Sequence, residues 1–173
     1  MSKAKVLFGC LAVAGSLAAL VLIHARMPHV RFLDLSSDRS ISRIPWPKDM
    51  AWSDYTGWDR VTVSLKFGGG RDFNGHLAHL LFTRNGDKID AVSLLFGAAT
   101  IQETYTQAIT IARQWGIPTA TIDAWLAKAR QGDVEQIEIN NNSAFPSLSL
   151  DIIPSGDPAV PSCLGFQVEW LRF

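Results

Sequence analysis

The chain has 173 residues, 47% of them apolar and 18% charged, with 16 Lys plus Arg balanced by 16 Asp plus Glu. That composition excludes disordered, collagen-like and low-complexity classes, and a single globular domain is the expectation for the bulk. A formal charge of zero argues against nucleic acid as a partner, because phosphate binding draws on a basic excess that releases counterions.

Residues 6–23, VLFGCLAVAGSLAALVLI, run for 18 positions without a charge. As a helix they would cover about 27 Å of a hydrocarbon core about 30 Å thick. Ten of the 18 are Leu, Ile, Val or Phe, worth about 3 to 6 kcal/mol of insertion free energy before Gly, Ser and the flanks are counted. Residues 1–26 therefore read as an N-terminal signal anchor, a transmembrane helix that meets the membrane through residues 6–23. Lys3 and Lys5 precede the run while Arg26, Arg31, Arg39 and Arg43 follow it, so the positive-inside vote is mixed. A short leading tail favours an N-inside, single-pass topology, since long domains translocate largely regardless of charge. In a bacterium this places the C-terminal domain in the periplasm, anchored to the inner membrane. Cleavage near Ala25, giving a secreted or periplasmic domain, is the alternative. The run is longer than a secretory core of about 7 to 15 residues, and Ile23 is bulky for a cleavage site.

Cys10 lies within that run and Cys163 beyond it, so no disulfide can form inside the domain and the apolar core must carry the fold. Residues 27–59 show no clean period and are punctuated by Pro28, Pro45 and Pro47, the pattern of a linker and an aromatic-rich loop leading into a domain at 60–173. Within the loop, WPKDMAWSDYTGW carries Trp46, Trp52, Tyr55 and Trp58. Such rings offer large rigid area for protein contact, sugar stacking or lipid headgroups. Covering the open end of a small core would suit them equally well.

Residues 60–67, RVTVSLKF, alternate strictly, with Val61, Val63, Leu65 and Phe67 on one face, as in a half-buried strand. A glycine-rich connection at 68–75 leads to HLAHLLFT, and Asn85-Gly86 then joins it to KIDAVSLLF, a strong hairpin signal. Thr100 and Glu103 have capping-box spacing, which predicts a helix over 101–115 that stops at Gly116 and Pro118. A second helix, about 120–131, buries Ile122, Trp125, Leu126 and Ala129 and ends at Gly132. Strands follow at 134–140, 147–153 and 164–173. The order βββααβββ predicts an α+β domain: a mainly antiparallel sheet with a two-helix hairpin on one face.

His76 and His79 follow Asp72, a set that could hold zinc or move protons, but no third ligand stands at a zinc spacing. Residues three apart on a strand also point to opposite faces. Gly68-Gly69-Gly70 with Arg71 could cradle a phosphate, yet no helix follows and neither G-x-G-x-x-G nor G-x-x-x-x-G-K-[ST] is present. No nucleophile motif of the G-x-S-x-G or H-E-x-x-H kind occurs, and none of the S-x-x-K kind beyond residue 26. The sequence thus implies no cofactor, no metal and no assignable catalytic residue. An anchor joined to a domain without catalytic motifs points to a membrane-anchored binding module outside the cytoplasm with a protein partner, such as an envelope-assembly accessory or an immunity-type protein. The alternatives are a carbohydrate or cell-wall binder using the 46–58 aromatics, and a hydrolase or metal-dependent enzyme centred on His76, His79 and Asp72.

Overall fold

The computed structural model describes residues 32–44, 55–141 and 146–170. The expected membrane segment 6–23 lies outside the described residues, as do Trp46 and Trp52, and Tyr55 is described for its backbone alone. Among the described residues no helix is long and apolar enough to cross a membrane.

The architecture is α+β. Strands β1 (Leu33–Asp34), β2 (Tyr55–Lys66), β3 (Asp72–Asn85) and β4 (Lys88–Leu95) come before helices α1 (Ile101–Trp115) and α2 (Ala120–Ala129). Strands β5 (Ile137–Asn141), β6 (Ser147–Pro154) and β7 (Ser162–Glu169) come after them. One seven-stranded sheet results, in the order β1-β2-β3-β4-β7-β6-β5, antiparallel throughout except for the β1–β2 pair. β1 is the strand that periodicity could not show, since two residues carry no period.

β2 begins at Tyr55 and not at residue 60 because its buried positions change phase. Trp58, Val61, Val63 and Leu65 all lie in the core, so inward residues switch from even to odd numbers across Arg60. Arg60 has φ +49, the one positive value among described residues other than glycine. The register survives the switch, with Asp59 opposite His79 and Val61 opposite Leu77. β3 switches at the same level, between the fully buried Leu77 and Leu80. Gly57 lets the two strands lie this close, since a Cβ there would stand 2.2 Å from the Leu80 carbonyl oxygen.

The hairpin must also curl. Leu35 N–H donates to Lys66 O at 2.7 Å, and a few residues later Ile89 N–H donates to Arg39 O at 2.8 Å and Ile41 N–H to Asp87 O at 3.0 Å. Residues 33–41 therefore tie the end of β2 to the start of β4. Straight, the 14 residues of β3 would measure about 46 Å, whereas residues 35–40 reach at most about 18 Å. Only a curled hairpin lets both ends meet this strap, and the result is a closed ring of backbone hydrogen bonds through β1, β2, β3, β4 and the strap.

α1 starts where the capping box predicts: Thr100 Oγ1 accepts from Glu103 N–H at 3.3 Å and Glu103 Oε2 accepts from Thr100 N–H at 2.9 Å. Its buried stripe, Ala108, Ile109, Ala112 and Trp115, lies against β6 and β7. The Trp115 and Phe166 ring centroids are 4.8 Å apart. α2 buries Ile122, Trp125, Leu126 and Ala129 and joins α1 through Tyr105 Oη–H, which donates to Asp123 Oδ1 at 2.8 Å.

Candidate functional site

Trp58, the one member of the 46–58 cluster whose side chain is described, is 2% exposed. It meets Phe82 edge-on at 5.3 Å and 88°. It is a core side chain, buried beneath the phase switch in β2, and presents no ring face to a ligand.

His76 and His79 do not sit on opposite faces as strict alternation implies. Because Leu77 and Leu80 both point inward, their neighbours His76 and His79 both lie on the outward side. The two rings nevertheless have separate partners: Nδ1 of His76 is 3.2 Å from Thr62 Oγ1, and Nδ1 of His79 bonds to Asp59 Oδ1. Asp72 stands opposite Lys66, about 13 Å along the strand from His76. No three His, Cys, Asp or Glu side chains gather in a metal-holding group among the described residues.

The outward face carries a row that crosses six strands: Asp59, His79, Leu95, Gly165, Asp151 and Glu138, each opposite the next. Asp151 lies beside Gly165, its Cβ 3.7 Å from where a Cβ on that glycine would stand. Burial pushes the Asp151 carboxyl up, the facing Glu138 adds to this, and a hydrogen bond from Ser149 opposes it. Strands are about 4.8 Å apart, so His79 and Asp151 are separated by about 14 Å and cannot share a reaction.

The strongest binding geometry lies at the opposite end of the strap from β4. Phe67 continues the inward row of β2, and the turn from Gly68 to Arg71 follows it with φ values of +88, +63 and +75 at the three glycines. Two backbone bonds fix the turn: Phe67 N–H to Arg71 O and Arg71 N–H to Gly68 O, both 3.1 Å. Beside it, Ser36 from the strap, Pro146 before β6 and Trp170 after β7 complete a half-open cleft of about 450 Å³.

Aromatic rings form the inner wall. Trp170 stacks on Phe67 at 6.0 Å and 23°, and Phe67 meets Trp115 at 5.1 Å and 72°. Guanidinium groups pack against these rings, Arg39 at 4.8 Å from the Trp170 centroid and Arg71, which lines the cleft, at 6.0 Å from the Trp115 centroid. Arg39 also donates to Ile89 O at 2.8 Å. Neither arginine has a carboxylate within 4.0 Å among the described residues. The nearby acid is otherwise engaged: Asp34 accepts from the hydroxyl and amide of Ser36, which hold its carboxyl below the usual range, and Lys66 Nζ lies 3.9 Å away.

One cation, the partly exposed Trp170 and a glycine backbone can hold a ligand, and among the described residues no His, Cys, Asp or Glu lines the cleft to move a proton or attack a carbon. Arg71 and the three glycines are visible in the sequence as a weak anion cradle without a following helix, and Trp170 as part of an alternating strand. Their meeting depends on the curled hairpin, which leaves no local signal.

No family model matches this chain, and neither a curated protein nor a solved structure matches it.

Proposed function

We propose that the chain is a single-pass membrane protein whose α+β domain works outside the cytoplasm as a binding module for a protein partner, in the periplasm where the source is a bacterium. The observation that carries this reading is the uncharged run of bilayer length at residues 6–23, followed by a folded domain. The cleft beside Arg71 supports binding as the domain's task, because among the described residues its lining supplies a cation, aromatic side chains and peptide groups.

The test is fractionation combined with crosslinking. The full-length chain should sediment with membranes, resist alkaline extraction, and bring a reproducible protein partner when crosslinked in intact cells and purified. A reporter fused to the C-terminus should be active only outside the cytoplasm. Recovery of the uncleaved chain from the soluble cytosol, or a reporter active only inside, would overturn the location. A partner-free purification after crosslinking would overturn the binding role.

A further inference from the structure

We propose that the cleft beside the glycine turn binds a carboxylate next to an apolar side chain, the chemistry of the C-terminal end of a peptide. The Arg71 guanidinium and the Gly69 backbone face the carboxylate, and Trp170, packed on the buried Phe67, faces the side chain. This inference rests on the reading of the domain as a protein-binding module and names the part of the partner it holds.

Arg71 is a half-buried cation without a carboxylate among the described residues, and its backbone is pinned on both sides by the turn. An arginine so placed already has much of its desolvation and ordering behind it, so an incoming carboxylate finds a fixed, forked donor. The amides of Gly69 and Gly70 make no hydrogen bond to described residues. A Cβ at either would meet nothing within 4 Å, so the backbone edge is bare. Asp34 does not compete for Arg71, being held by Ser36 and Lys66.

The wall next to this cation is aromatic. An inorganic anion would leave the partly exposed Trp170 unused, whereas a terminal residue brings a carboxylate and an apolar group on one carbon. A volume of about 450 Å³ accommodates one or two residues.

Trp170 lines the site and Trp115 lies behind Phe67, so tryptophan emission of the full-length chain in detergent reports occupancy. The probes are a short peptide ending in Phe with a free carboxylate, the same peptide amidated, 3-phenylpropionate and inorganic phosphate. The free-acid peptide should give a saturable change, and amidation should weaken binding about tenfold or more. Arg71→Met should weaken it by a similar factor with a Tm within about 2 °C of the parent, and Arg71→Lys should restore part of the loss. Tighter binding of the peptide than of 3-phenylpropionate identifies a peptide end; the reverse order would overturn that choice in favour of a small organic acid. Equal binding of acid and amide, unchanged binding by Arg71→Met, no saturation, or phosphate binding as tightly as the peptide would each overturn the proposal. Partner capture from intact cells separates the two levels. Capture that persists while the peptide fails refutes the cleft alone, and loss of both refutes the binding module as well.

Discussion

The hydroxyl of Ser162 donates to Thr104 Oγ1 at 2.8 Å, and both side chains are fully buried where β7 begins against the first turn of α1. This is a buried polar pin between helix and sheet, and Ala99 N–H adds a backbone bond to Ser162 O at 2.8 Å beside it. Thr104→Val keeps the shape but strands the Ser162 hydroxyl, which should cost about 1 to 3 kcal/mol. Combining it with Ser162→Ala removes both polar partners and should recover part of that loss, so urea titration of the two single variants and the double variant should show a favourable coupling. Strictly additive losses would mean that the pair is not energetically linked.

Trp58 tests whether the aromatic loop reaches into the fold. Trp58→Ala should lower stability by about 3 to 5 kcal/mol, the range for emptying a large core site, while Trp58→Phe should cost much less. Chemical denaturation distinguishes these outcomes. A stable Trp58→Ala protein that lost its partner would assign Trp58 to recognition instead.

The cap of α1 is an exposed, local contribution. Thr100→Ala removes the hydroxyl that accepts from Glu103 N–H and should destabilise the protein by about 1 kcal/mol. Thr100→Ser should restore most of it. The midpoint of thermal unfolding is sufficient to measure both.

Asp151 gives a pH-dependent effect whose sign follows from its raised pKa. The folded state disfavours its ionised form, so the group opposes folding above its folded pKa, and this opposition fades as pH falls toward the ordinary carboxylate value of 3.8. Asp151→Asn should therefore stabilise the protein at pH 7, by no more than about 1 kcal/mol because the carboxylate is open to solvent on one side. Its advantage should shrink as the medium is acidified toward pH 3.8. Unfolding curves of both proteins across that range would show the convergence, and a constant difference would contradict it.

Elements specified by neighbouring residues were legible in the chain itself. The span of α1 follows from Thr100, Glu103 and Gly116, which lie within or next to it, and the β3–β4 turn follows from Asn85-Gly86. Alternation is a poor guide where one residue resets a pattern. Arg60 changes the inward phase of β2, so strict alternation failed on its N-terminal side, and the same switch in β3 brought His76 and His79 to one face. The cleft was not legible because it assembles Ser36, the 68–71 turn, Pro146 and Trp170 from four distant stretches. Only the curvature of the hairpin brings them together, and curvature is a property of the whole sheet.

Residues 33–41 are synthesised early, yet their hydrogen-bond acceptors and donors on Lys66, Asp87 and Ile89 emerge later. Until residue 89 has left the ribosome or a translocation pore, this stretch has nowhere to dock, and Leu33, Leu35 and Ile44, buried in the finished protein, stay bare to solvent. The nascent domain thus has a built-in waiting period during which a chaperone or a neighbouring chain can seize its leading edge, and a slower rate of synthesis before that point prolongs the hazard.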